Sequence, residues 1–384
     1  MDFSFTDEQE LLVESIEEFV ARNMPEELIA GMYETGVVPD GLSKAWMDAG
    51  FGLMGVPEEY GGTPCDNTTL LVMYEALFRA SACFTPFCSN AMALFDVIGL
   101  GPREQVERAV AAYRETGRPL FSFAISEPGA GSDNKGMASC TRRQADGTYL
   151  LNGTKTFVTN GEDFPELFVI AKDEDPAREN KSFSLWIVPS DAPGVSTAKQ
   201  HKIGQTIMPF CEIYFDDVKL TEDMRMGEPG KGFIGVMKQF ELERCLCAAQ
   251  SLGWAHAALS DAANYATERV AFGKPIAEFQ LIQLKLTEME TAIQNIQNML
   301  YKTLWSLDNG VPVQLESALL KRYAVMECTR VASEALQIHG GLGYTTETRL
   351  GRIFLDCRGN QIAGGTDEVM VHIAGRLIPQ KYRK

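Results

Sequence analysis

FSFAISEPGAGSD, from Phe121 to Asp133, joins a strand signal to a turn made of residues with special backbone freedom. Phe121, Phe123 and Ile125 alternate with Ser122, Ala124 and Ser126, the period of a half-buried strand. The alternation stops at Glu127-Pro128: Pro128 fixes its own φ and pushes Glu127 to extended geometry. Gly129 and Gly131 let the backbone approach a flat or phosphorylated ligand, and Ser126 and Ser132 add hydroxyls. A tight surface turn has the same composition, so the turn alone leaves both readings open.

The chain changes character on both sides of this stretch. Before it, Thr6-x-x-Gln9 is a capping box, Leu12, Ile16, Phe19 and Val20 form a helical stripe, and further helix signals lie at Leu70–Phe78 and Glu104–Tyr113. After it, Asp146-Gly147 and Asn152-Gly153 read as hairpin turns around Thr148–Leu151, and Lys155–Thr159, Phe168–Ala171, Phe183–Val188 and Cys211–Val218 read as strands. Asp173–Asn180 reads as a charged loop. Beyond Gly227–Gly230 helix signals return in four segments: about Phe233–Thr267, one from Ala277 to the Asn309–Pro312 break, one ending at Gly340-Gly341, and one from Thr366 to near Pro379. The expectation is an α+β chain with a helical domain (1–120), a β-barrel or sandwich domain (121–228) and a four-helix bundle (229–384).

Hydrophobic content of 45% and charged content of 23% are those of an ordinary globular protein. A net charge of −17 argues against nucleic acid or anionic membrane as partners, since both need concentrated Lys and Arg. The acidic N-terminus shows no secretory or transit signal and no apolar run reaches a membrane span, so a cytoplasmic protein is expected. Nine cysteines without a CxxC pair, and only four histidines, point to buried free thiols and to no metal site.

The 121–133 stretch resembles the signature turn of the acyl-CoA dehydrogenase family. Five more blocks follow in the family's order: KTFVTNG (Lys155–Gly161), ELER (Glu241–Arg244), RVAFGKPIAEFQ (Arg269–Gln280), QIHGGLGY (Gln337–Tyr344) and GGTDE (Gly364–Glu368). The resemblance implies FAD as cofactor, an acyl-CoA or enoyl-CoA substrate, electron-transfer flavoprotein as redox partner and a homotetramer. It assigns FAD contacts to Phe123, Ile125, Ser126, Ser132, Phe157, Val158, Thr159, Thr366 and Glu368. Arg269, Gln280, Gln337, Gly340 and Gly341 would reach the FAD of a neighbouring subunit. Ser132, Arg244 and Gly365 fall to the substrate, and the Gly364 N–H to the thioester carbonyl.

The chemistry implied needs a buried base for the proton beside the thioester. Many family members carry a Glu where this chain has Gly364; a second arrangement, in the isovaleryl and long-chain branches, has Glu before Arg on the long helix. That position is Glu243, in an apolar run with Phe240, Cys247 and Ala248 at helical spacing. On the residues alone, a surface Glu, or a Glu241 pair with Arg244 at i,i+3, remains the competing reading. The ELER and GGTDE blocks and the N-terminal MDFSFTDEQELL look closest to the crotonobetainyl-CoA reductase branch, whose substrate carries a cationic head group. Gly364 also keeps open a non-redox CoA-thioester flavoprotein, such as a desulfinase-like lyase.

Overall fold

The computed structural model describes residues 4–174 and 182–383. In chain order the helices are α1 (Asp7–Asn23), α2 (Glu26–Thr35), α3 (Asp40–Asp48), α4 (Asn67–Ser81), α5 (Pro86–Leu100), α6 (Arg103–Thr116), α7 (Gly232–Glu268), α8 (Gln280–Asp308), α9 (Gln314–His339), α10 (Leu350–Asn360) and α11 (Asp367–Lys381). The strands are β1 (Phe121–Ala124), β2 (Cys140–Arg143), β3 (Tyr149–Thr159), β4 (Glu166–Glu174), β5 (Phe183–Pro189), β6 (Val195–Gln200), β7 (Phe210–Leu220) and β8 (Arg225–Met226), with a small hairpin of β9 (Val270–Ala271) and β10 (Lys274–Pro275). The order is helices, then strands, then helices. No described helix is long and apolar enough to cross a membrane.

The chain divides into two compact units. One comprises Met1–Gly31, Cys65–Thr85 and Glu241–Lys384. In it the Thr6 capping box starts α1: Gln9 N–H donates to the Thr6 hydroxyl and Thr6 N–H to the Gln9 side chain. Asp66 caps α4, whose apolar run Leu70–Phe78 is buried on every side, as an all-round hydrophobic helix must be. Helix α9 packs against α8, α10 and α11, so its face of Ser317, Lys321, Ala324, Val325 and Cys328 is wholly buried.

The other unit, Met32–Pro64 and Pro86–Phe240, is built on one mixed sheet in the order β6-β7-β3-β2-β4-β5-β8, with β1 pairing in parallel to β4. Strand β4 is covered on both faces: Leu167, Val169 and Ala171 enter a cluster with Leu151, Trp186 and Ile213, and Phe168 and Ile170 a second one with α5 and α6. That explains its unbroken apolar run.

Local readings needed two corrections. Asn152-Gly153 is no hairpin turn: β3 runs straight through it with a bulge, because a Cβ at Gly153 would lie 2.6 Å from the Ser139 backbone. Glycine is there for close approach, whereas Asp146-Gly147 does turn the chain between β2 and β3. Asp173 and Glu174 end β4, and the rest of the expected charged loop lies outside the described residues. The last helix, α11, is capped by Thr366 and ends at Lys381, close to Pro379 as read from the sequence. The cysteines are free thiols, buried except for half-exposed Cys65 and Cys140.

Candidate active site

Helix α7 places Glu243 and Cys247 one turn apart, on the face turned to the loop before α11. A Cβ built on Gly364 would lie 3.5 Å from Glu243 Oε1 and 3.4 Å from Cys247 Sγ. Gly364 and Gly365 follow each other at φ 62° and 91°, a left-handed pair that side chains other than hydrogen rarely adopt. Thr366 then caps α11 by accepting from Val369 N–H. Glu243, Gly364, Gly365 and Thr366 therefore come together in one unit.

Glu243 keeps some accessible surface, yet protein packed around its carboxyl pushes its pKa up. Arg244 and Lys321 pull the other way. Arg244 is buried, and among the described residues it forms no ion pair with Glu241; its Nε has no hydrogen-bond partner. Burial pushes its pKa down against the pull of Glu241 and Glu243. A buried guanidinium with an unmatched donor fits an incoming anionic or carbonyl group better than the surface pair that spacing alone allows. Lys321, which no motif singles out, is fully buried and donates to the Gly365 carbonyl at 2.6 Å. Its only sequence signal is a lysine on an apolar helical stripe.

In the sheet unit the first two blocks meet. Thr156 N–H donates to the Ser126 carbonyl at 2.9 Å, and the turn closes through paired Glu127 and Ala130 backbone bonds. Beneath it, Lys155 is fully buried and donates to Ile125 O at 3.0 Å and Glu127 Oε1 at 2.8 Å. Burial alone would raise the Glu127 pKa, but Lys155 and the Ala138 and Ser139 N–H groups hold it below the ordinary value. Sequence reading missed this pair, since the two residues are 28 positions apart.

Above the pair, Gly129 and Gly131 have open space where a Cβ would point, and Ser132 is exposed. Phe157 is held at φ 58° in a bulge of β3, its ring 60% exposed, with its N–H donating to Gln200. An exposed ring in strained backbone beside an open glycine turn fits a flat ring system carrying a phosphate chain. Thr159, Phe123, Ile125 and Ser126 are half-buried, whereas the Val158 side chain lies inside the sheet core and leaves only backbone for a ligand.

In the helical unit, Arg269, Gln280, Gln337, Gly340 and Gly341 are exposed, as is Glu368 in the first turn of α11. Its own N–H and the Thr366 hydroxyl hold the Glu368 pKa down, as befits the start of a helix, an end that favours anions. Among the described residues no three His, Cys, Asp or Glu side chains gather as a metal site.

Family models for the N-terminal, middle and C-terminal domains of acyl-CoA dehydrogenase match residues 6–114, 122–218 and 230–378. A probable acyl-CoA dehydrogenase of Escherichia coli K12, YdiO, is 41% identical over the full length of both chains. An acyl-CoA dehydrogenase structure from Slackia heliotrinireducens superposes with a TM-score of 0.89 at 35% identity, covering 100% of this chain and 99% of that one. Butyryl-CoA dehydrogenase from Megasphaera elsdenii gives 0.88 at 30% identity, covering 98% and 100%.

Proposed function

The chain belongs to the acyl-CoA dehydrogenase family of FAD-dependent oxidoreductases, and from that premise we propose that it moves the α-proton of a short acyl-CoA or enoyl-CoA thioester on Glu243. The observation that carries this reading is the Glu243 carboxyl beside the side-chain-free Gly364. FAD, when bound, supplies the acceptor for the β-hydride in oxidation or its donor in reduction. The open turn at Gly129, Gly131 and Ser132, with Phe157 and Thr159, would hold it in the sheet unit.

For oxidation Glu243 acts as carboxylate and takes the α-proton; for reduction it acts as the acid that returns one. Burial suits it to both, since a raised pKa brings the carboxyl towards the working pH. The Gly364 N–H polarises the thioester carbonyl, and the unmatched Arg244 donor orients the substrate. Gly365, next to Gly364, completes the substrate contacts in the helical unit. Similarity to butyryl-CoA dehydrogenase supports a short acyl group, and the ELER and GGTDE blocks support a cationic head group in the manner of crotonobetainyl-CoA reductases. Electron-transfer flavoprotein is the redox partner in this reading. The protein is a homotetramer whose Arg269, Gln280, Gln337, Gly340 and Gly341 reach a neighbouring FAD. The functional division runs at 1–120, 121–228 and 229–384.

The test is anaerobic flavin bleaching by short acyl-CoAs, a trimethylammonium butyryl-CoA among them, with the Glu243→Gln variant alongside. Bleaching should fall by about a thousandfold in the variant while FAD and ester binding persist. Equal bleaching by both proteins rules out Glu243 as the proton-transfer group.

A further inference from the structure

Lys321 is the most deeply placed charge near the Gly364 turn, and nothing in the proton transfer itself calls for it. It stands in the third turn of α9 with no accessible surface and donates to Gly365 O at 2.6 Å. A buried ammonium costs several kcal/mol before any compensation, and an apolar side chain of similar volume fills such a place more cheaply. Its position answers why it is there. The carbonyl it grips belongs to the left-handed Gly364–Gly365 pair, whose first residue stands against Glu243 and Cys247. Few contacts fix such a turn from within, because neither glycine has a side chain to pack.

We propose that Lys321 is a positioning residue of the proton-transfer site: its ammonium anchors the turn through the Gly365 carbonyl, and so sets both the turn and a positive charge beside the Glu243 carboxyl. The inference rests on the reading of Glu243 given above. The charged and titratable groups around the two residues are Glu241, Arg244, Cys245 and Cys247 on α7 and Asp367 on α11, with Arg322 and Arg358 reaching Asp367. Among them Arg244, together with Lys321 itself, favours the Glu243 carboxylate against burial. Removing Lys321 takes away one of two cations that keep the carboxyl ionisable.

The experiment uses FAD-loaded protein: wild type, Lys321→Met, Lys321→Gln and Glu243→Gln, with butyryl-CoA and a trimethylammonium butyryl-CoA as probes. Met removes donor and charge; Gln keeps an N–H donor and removes only the charge. In both Lys321 variants the acid limb of the bleaching rate against pH should move up by about one pH unit, since the carboxylate has lost a cation. The high-pH rate should fall about a hundredfold in Lys321→Met, whose turn is loose, and stay near wild type in Lys321→Gln. Amide hydrogen exchange over residues 361–367, read by mass spectrometry without any ester, should quicken in Met and not in Gln.

A loss that is uniform in pH, with no shift of the limb, marks a merely structural lysine and overturns the proposal. So does unchanged amide exchange in Lys321→Met. If Glu243→Gln bleaches like wild type, the base assignment falls, while the exchange result still decides whether Lys321 anchors the turn.

Discussion

At Gly364 the backbone lies at φ 62°, where any L side chain pays for its Cβ. Space itself is not the obstacle, since a Cβ would meet Cys247 Sγ and Glu243 Oε1 at ordinary contact distances. Gly364→Ala should therefore lose about 1 kcal/mol in urea unfolding, by strain rather than by clash. Its flavin bleaching should slow as well, because the new methyl occupies the side of the carboxyl that the substrate needs. Bleaching at the wild-type rate would show that the substrate does not approach there. Glu243 was singled out through the family resemblance, because on the residues alone an acid amid Phe240, Cys247 and Ala248 also reads as a helix-surface carboxylate. Lys321 was not, because a single lysine on a buried stripe has no motif, and its partner Gly365 is 44 residues away.

Among the elements, α4 carries a second buried acid. Glu75 lies one turn from Arg79 at 3.8 Å, with Glu17 and Tyr301 nearby, and burial raises its pKa from 4.5 to about 7. Folded protein therefore keeps this proton where unfolded chain has released it. The stabilisation is complete below pH 4.5 and is lost as pH rises through about 7. That loss amounts to about 3 kcal/mol, and Glu75→Gln should remove it, which denaturant unfolding at acid and mildly alkaline pH will measure. An unchanged pH slope in the variant would mean that Glu75 is solvated. Elements differ in how openly they announce themselves. The capping box of α1 rests on residues three apart and reads directly, whereas Gly153 owes its place to Ser139 on the approach to a neighbouring strand, which no dipeptide rule contains. Helix α10 lacks a side-chain cap at Arg349 and is fastened instead by the Arg349 pair with Asp261, 88 residues away.

For the whole molecule, the exposed apolar side chains matter most. Phe272 is 97% exposed at the tip of the β9-β10 hairpin and Tyr344 is 94% exposed beside Gly340 and Gly341, and both lie in segments read as reaching a neighbouring subunit. Bare rings are ordinary when scattered singly, but rings next to residues assigned to a neighbouring FAD are the ones that reading expects to be covered. The protein should sediment at four times the mass of its chain, and Phe272→Glu should yield smaller species with less bound FAD; a wild-type monomer with full FAD would refute the shared-site reading. The α+β order was visible because the change of period at Phe121 and again near Gly230 is a property of long stretches, which local errors do not disturb. The division into two units was not, since it joins Cys65–Thr85 to residues beyond Glu241 through packing alone. Among the described residues each unit also hides one lysine completely, Lys155 beneath the glycine turn and Lys321 behind the Gly365 carbonyl. An amine-directed reagent can reach either one only when the fold around it opens, so each lysine is an internal clock that times the opening of its own surroundings.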